Sequence, residues 1–319
     1  MNSVLEKVYQ IGIIPVIAFN SVEEALPLCK ALAEGGLPAA EVTFRTACAE
    51  ECIRKIHEEM PEMLLGAGTV LTKEQADRAI AAGASFIVAP GFDPNITQYV
   101  IDKGCLMMPG TATSGEMQQA MNMGCEALKF FPAEAAGGLP MIKNLAPVYP
   151  GLNFMPTGGV NEKNMLDYLA FDRIICCGGT FMCPKDLIKN KEWDKITELT
   201  RNAVDKMLGF ELRHIGLNTE NAEESMAECK KLSALMGLPV KEGNSSNFVG
   251  TGFEVMKSMG RGKHGHIAIG TNSVKRAKWH LEQHGYKFIE DSAVVKNGKL
   301  IAIYLEDEVA GFAVHLVQK

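Results

Sequence analysis

Residues 39–44 read AAEVTF and residues 64–70 read LLGAGTV, two short apolar runs with an amphipathic stretch between them. Working outward, comparable runs fall at 15–19, 85–90, 105–111, 127–132, 154–159 and 173–179, with helical patterns in the intervals. Short apolar runs that alternate with amphipathic stretches at a regular beat read as strands and helices in turn. Helix entries are marked by Ser21, with Glu24 three residues on as a capping-box partner, and by Thr72 and Asn161 as N-caps. Eight strands, each followed by a helix, in about 200 residues point to an α/β chain folded as a (β/α)8 TIM barrel. The alternative, a doubly wound open sheet, needs a strand order that jumps, and nothing in the pattern demands one.

The beat changes near residue 208. From 210 onward a strand, a helix and several strands follow one another, and the series occurs twice. The first copy opens on Arg213-His214-Ile215-Gly216-Leu217, continues in a helix over 222–236 and closes in a strand over 253–256. The second opens on His264-Gly265-His266-Ile267-Ala268-Ile269, with a helix over 273–285 and a closing strand over 312–317. A repeat of roughly 50 residues implies two copies of one supersecondary unit that bury a face against each other. Six of the seven histidines fall in this tail. The expected division is therefore a barrel domain over 1–208 and an α+β domain of paired modules over 209–319.

Bulk properties narrow the function classes. Of 319 residues, 47% are hydrophobic and 22% charged, which is the balance of a globular protein with a substantial core. A net charge of −6 without any Lys/Arg block gives no footprint for nucleic acid. The N-terminal apolar stretch over 11–19 is short and holds Pro15, so no membrane span is expected there. The nine cysteines lack CxxC spacing, and Cys48, Cys52, Cys176 and Cys177 read as buried fillers. With no secretion signal in view, reduced thiols and a cytoplasmic location are the expectation.

The chemistry concentrates at strand ends. Lys129 lies in the apolar run Ala-Leu-Lys-Phe-Phe-Pro, where lysine is rare unless paired or functional. Burial penalises the ammonium through lost hydration, and the neutral amine is the form that attacks a carbonyl. Alone, the residue admits two readings: a reactive amine, or a strand-end charge reaching solvent. Other strands favour the first. In Glu41-Val42-Thr43-Phe44-Arg45, period-two alternation sets Glu41, Thr43 and Arg45 on one face, inward if Val42 and Phe44 pack under helices. A buried carboxylate and guanidinium then serve each other, as a structural ion pair, or a ligand. Thr69 offers a hydroxyl at the end of the third run, and Phe131 shares a face with Lys129. Barrel sites lie at the C-terminal mouth, where these residues converge. The last two strands end in Pro156-Thr157-Gly158-Gly159 and Cys177-Gly178-Gly179-Thr180. Paired glycines let backbone N–H groups approach an anion, and helix starts are expected after each, at Asn161 and Pro184.

Glu41-Val-Thr-Phe-Arg45-Thr, Gly66-Ala-Gly-Thr69-Val, Lys129-Phe-Phe-Pro-Ala-Glu and Pro156-Thr-Gly-Gly resemble the 2-keto-3-deoxy-6-phosphogluconate (KDPG) / 4-hydroxy-2-oxoglutarate (KHG) aldolase family over about residues 1–208. The resemblance implies a class I aldehyde-lyase, a carbon–carbon lyase that forms a Schiff base and requires no cofactor. It implies Lys129 as the Schiff-base residue and Glu41 as general acid/base. Arg45 and Thr69 would hold the substrate carboxylate, beside Phe131. Thr157 would match a position linked to stereochemistry, and Gly158, Gly159, Gly178, Gly179 and Thr180 a phosphate site. The partner implied is a small keto-acid substrate, phosphorylated in the KDPG case, and the assembly implied is a homotrimer. The products would be pyruvate with glyceraldehyde 3-phosphate, or pyruvate with glyoxylate.

The tail resembles the vicinal oxygen chelate, or glyoxalase-like, superfamily with its paired βαβββ modules. His214-Ile-Gly-Leu, the strand around Glu254, His266-Ile-Ala-Ile and Ala313-Val-His-Leu carry the likeness. Metal-binding members take one ligand from the first and last strand of each module, which here implies His214, Glu254, His266 and His315. His315 stands where glutamate is more usual. Such a set suits a divalent metal of the Zn²⁺, Fe²⁺ or Ni²⁺ kind. Two roles compete for this domain: a second, metal-dependent isomerase, epimerase or lyase, or a non-catalytic assembly or ligand-binding module. His280 and His284 read as a helix end with cations at its negative pole.

Overall fold

The computed structural model describes residues 2–319, and the chain divides into two compact units, Met1–Met207 and Leu208–Lys319. In the first unit the strands are β1 (Ile13–Ile17), β2 (Ala39–Thr43), β3 (Leu64–Gly68), β4 (Phe86–Val88) and β5 (Leu106–Met108). They continue as β6 (Gly110–Thr111), β7 (Ala127–Phe130), β8 (Asn153–Pro156) and β9 (Cys177–Gly179). Two parallel sheets, ordered β5-β4-β3-β2-β1-β9 and β6-β7-β8, make up the wall. The bridges Phe154–Ile174 and Thr157–Gly178 join them on one side. On the other side β5 and β6 are one strand interrupted at Pro109, which has no N–H to give a ladder. The ring closes as the expected (β/α)8 barrel. Every residue of β2 and β3 is buried, as strands covered by helices outside and side chains inside must be.

The helices owe their register to apolar spacing of three and four. Ala25–Glu34 buries Leu28, Cys29, Ala31 and Leu32, and Ala49–Glu59 buries Cys52, Ile53 and Ile56. The Thr72 hydroxyl accepts from the Gln75 N–H at 3.1 Å, the cap that the sequence suggests. Two expected caps differ. Ser21 makes no side-chain cap; it precedes a 3-10 turn, and Glu24 reaches back to the Asn20 N–H instead, at 3.0 Å. Asn161 caps only a turn, accepting from the Lys163 N–H, and the helix starts later, at Met165–Leu169. A reciprocal capping box does form, between Thr113 and Glu116. None of the nine cysteines is in a disulfide, and burial pushes the Cys29 thiol up to about 12. Among the described residues no helix is long and apolar enough to cross a membrane.

The second unit is built on β10 (Glu211–Leu217), β11 (Val240–Glu242), β12 (Ser246–Val249), β13 (Phe253–Met256), β14 (Gly265–Thr271), β15 (Val294–Lys296), β16 (Lys299–Val309) and β17 (Phe312–Gln318). They form one eight-stranded sheet in the order β11-β12-β13-β10-β14-β17-β16-β15. The order is symmetric about the antiparallel pair β10–β14. Each module pairs its first and last strands in parallel, β10 with β13 and β14 with β17. The helices Ala222–Met236 and Val274–Gln283 belong one to each module, so the repeat is two βαβββ units side by side. Around the first helix, Cys229 packs with Val249 and Val255 from the sheet, ringed by Leu217, Leu232 and Phe253. His284 ends the second helix with its Nδ1 2.8 Å from the His280 carbonyl, a helix-terminal contact.

Candidate active site

Lys129 sits on β7 with 3% exposure, and its Nζ lies 3.1 Å from Glu41 Oε1 on β2, which is fully buried. The pair is possible because Gly68 on β3 leaves its place vacant: a Cβ there would stand 2.2 Å from Glu41 Oε1. Register explains the facing. Glu41 is level with Gly66 and Thr43 with Gly68, so the carboxylate spreads over a strand that presents only hydrogen atoms. Glu41 Oε2 is buried without a hydrogen-bond partner. A carboxylate oxygen left unpaired in a dry interior is costly and marks where a further polar group belongs. Phe131 sets its ring 5.3 Å from Lys129 Nζ, closing a cation–π contact on the other side.

Directly after Gly68, Thr69 is held at φ +56, a left-handed conformation that a β-branched residue rarely adopts. This twist turns its hydroxyl to the exposed Arg45, whose Nε donates to Thr69 Oγ1 at 3.3 Å. Local strain at such a point persists only where the surroundings impose it, and it clusters at functional sites. Thr43, on the same face as Glu41, instead donates its hydroxyl to the Ile17 carbonyl at 3.0 Å.

The loops after β7 and β8 are laced together. The Ala133 N–H donates to the Thr157 carbonyl at 2.8 Å, and the Glu134 N–H to the Gly158 carbonyl at 3.0 Å. Gly158 and Gly159 both have positive φ, and a Cβ on Gly159 would strike the Glu134 side chain. Thr157 lies over Gly178, with its hydroxyl buried and unpartnered. Gly179 ends β9, and Thr180 beyond it is exposed. The helices that follow these glycines, Met165–Leu169 and Lys185–Lys189, are a bare turn each. Any anion contact here thus falls to loop N–H groups rather than to a long helix dipole. Nothing in the sequence marks Gly68 as a site residue, because its role arises only once β2 and β3 are in register.

In the second unit, alternation sets His214, Glu254, His266 and His315 on one face of the sheet. His214 Nε2 lies 3.1 Å from His266 Nε2 and 3.2 Å from Glu254 Oε2, and His266 Nε2 lies 3.3 Å from the same oxygen. One ring nitrogen of His315 lies within 4.8 Å of the other two imidazoles' ligand atoms. Gly216 makes the space, since a Cβ there would stand 2.1 Å from the His266 ring. Hydrogen bonds from His214 and His266 hold the Glu254 carboxyl well below the usual carboxylate range. Burial, then His266 and His214, pull His315 down to about 4, so that imidazole is neutral near pH 7. Both its ring nitrogens are buried without partners.

The sequence pattern of the family described as KDPG and KHG aldolase matches residues 4–199, more than half of the chain. The chain belongs to this family. A 2-dehydro-3-deoxy-phosphogluconate aldolase of Treponema pallidum is 41% identical over 204 residues, 64% of this chain and 97% of that protein. Among solved structures, a KDPG aldolase of Legionella pneumophila, with pyruvate captured as a covalent carbinolamine, superposes with a TM-score of 0.61. Identity there is 39%, over 62% of this chain and 97% of that one. The aldolase of Zymomonas mobilis with 3-phosphoglycerate gives 0.58 at 35% identity, over 62% of this chain and 94% of that one. The barrel of this aldolase is thus a class I aldehyde-lyase. Gly68→Ala in it should lower kcat about 100-fold by displacing the Glu41 carboxylate, the scale of a 1 Å misplacement. Steady-state kinetics beside a thermal melt would check this, and unchanged kcat would show that Gly68 does not position Glu41.

Proposed function

We propose that the barrel cleaves KDPG to pyruvate and glyceraldehyde 3-phosphate, with KHG, split to pyruvate and glyoxylate, as its second substrate. The observation that carries this reading is the buried Lys129–Glu41 pair with an unpartnered second carboxylate oxygen. Glu41 Oε1 is near enough to take a proton from Nζ, leaving a neutral amine to attack the C2 carbonyl. Glu41 returns that proton to the carbinolamine hydroxyl, which leaves as water and restores the carboxylate, and the iminium so formed accepts the electron pair of the breaking C3–C4 bond. The C4 hydroxyl proton passes to Glu41, through a water at Oε2, and the aldehyde leaves. Protonation of the enamine at C3 and hydrolysis of the imine return Lys129 and release pyruvate.

Arg45, steadied by Thr69, offers a planar fork suited to the substrate carboxylate. Thr157 supplies a free hydroxyl beside the reacting carbons, and the N–H groups around Gly158, Gly159, Gly178, Gly179 and Thr180 suit the distal phosphate. Borohydride added with pyruvate should fix a reduced adduct on Lys129, read by peptide mass. A protein that stays fully active and unlabelled would sink the Schiff-base reading. With both substrates compared, kcat/KM should favour KDPG by at least about tenfold, the worth of one charge-assisted hydrogen bond. Equal values would remove the glycine loops from phosphate binding.

For the second unit we infer a glyoxalase-like module that holds a divalent metal on His214, Glu254, His266 and His315. Metal bonds of about 2.0–2.1 Å at tetrahedral angles place donors about 3.3 Å apart, close to the separations among His214, His266 and Glu254. A proton network fits less well, since it leaves both nitrogens of the buried His315 unpaired. Bound there, Zn²⁺, Fe²⁺ or Ni²⁺ would supply Lewis acidity toward a substrate oxygen. These unsatisfied donors favour a second, metal-dependent isomerase, epimerase or lyase over a module that only assembles subunits. Elemental analysis of the full chain should find one metal per chain in the wild type and a marked loss in His315→Ala. Equal metal in both would exclude this site.

A further inference from the structure

The four-residue centre of the second unit is walled by two aromatic rings at equivalent places in the two modules. Phe248 is the cross-strand neighbour of Glu254, and Tyr304 is the cross-strand neighbour of His315. Phe248 stands edge-on to His214 with ring centres 6.3 Å apart, and Tyr304 stacks on His315 at 4.7 Å. The two modules part company above these walls. Beside Phe248 the cross-strand neighbour is the exposed Lys241, whereas over Tyr304 the Arg261 guanidinium carbon lies 5.3 Å from the ring centre. No carboxylate pairs with Arg261 among the described residues, whereas nearby Lys257 is committed to Glu242 at 3.0 Å.

Arg261 stands on the connection between β13 and β14, and its two neighbours are clamped. The Asn218 side-chain amide donates to the Gly260 and Gly262 carbonyls, at 3.4 and 2.8 Å, and its oxygen accepts from the Gly260 N–H at 3.1 Å. Gly262 adopts φ +75 against the backbone of Gly265 and Ala313, a packing that admits no side chain. A surface arginine whose flanks are fixed on both sides and whose fork lies on an aromatic face is held in place without any protein anion to hold it. Charge points the same way. A divalent ion on three neutral imidazoles and one carboxylate would keep one net positive charge, and Arg261 adds a second at the Tyr304 wall.

We propose that Arg261 is the anion-recognising residue of this centre, and that the centre's ligand is a small carboxylate. It would lie between the Phe248 and Tyr304 rings with its charged end on Arg261. A single planar fork pairs with a carboxylate through two parallel hydrogen bonds. The inference rests on the metal-centre reading above.

The full-length chain, loaded with Co²⁺, tests it through the visible absorption of the bound ion, which reports on this centre and is blind to pyruvate at Lys129. Pyruvate should shift the cobalt bands saturably, and hydroxyacetone, uncharged but otherwise similar, should bind more weakly. Arg261→Ala should still take up one equivalent of cobalt but bind pyruvate about tenfold more weakly, with hydroxyacetone unaffected. Arg261→Lys should recover part of the loss. Wild-type affinity for pyruvate in Arg261→Ala, or no pyruvate response at all, would overturn the assignment while leaving the metal centre standing. Failure of the wild type to bind cobalt at one equivalent would overturn both.

Discussion

The ion pair of Lys129 and Glu41 is almost wholly removed from water, with side chains 4% and 0% exposed. Taking two charges out of water costs several kcal/mol per ion, and their mutual attraction offsets this only with good geometry and further hydrogen bonds. Here one carboxylate oxygen lacks such a bond, so the pair is not the cheapest way to fill a barrel. Much of the surrounding structure follows from it. Gly68 must lack a side chain, Thr69 must twist, and Phe131 must face the amine. A site kept slightly unsatisfied is one that a polar substrate completes.

The second unit reaches a comparable result with different geometry. In the barrel, groups from separate strands meet near the strand ends. In the open sheet they meet at its centre, across the junction of two repeated modules. Both rely on small residues opposite large polar ones: Gly68 faces Glu41, and Gly216 faces His266. Duplication supplies two first strands and two last strands, hence four inward positions. Divergence between the copies then supplies what symmetry cannot, since the two walls are a phenylalanine and a tyrosine and only one bears an arginine.

The barrel strands were legible because parallel strands buried on both faces leave unbroken apolar runs, and each observed strand lies within such a run or a residue or two from it. Helix entries were less legible. Ser21 and Asn161 have capping side chains in the right places, yet each bonds or sits differently because the neighbouring loop sets the backbone path. The partners of Lys129 could be guessed from face alternation, but which carboxylate oxygen is paired and which is bare could not. Phe248, Tyr304 and Arg261 left no trace as a group, since strand register sets the two rings and only the loop clamped by Asn218 brings Arg261 to one of them.

The sequence by itself determined where apolar runs fall, hence the barrel, the duplicated tail and the residue types available at each strand end. That information is local, because periodicity and residue chemistry act over a few neighbours. Only the tertiary structure decided that Glu41 shares an oxygen with Lys129, that Thr69 is strained toward Arg45, and that three histidines and a glutamate crowd one face. Those facts depend on register between strands distant in the chain, where a shift of one residue turns every side chain to the opposite face.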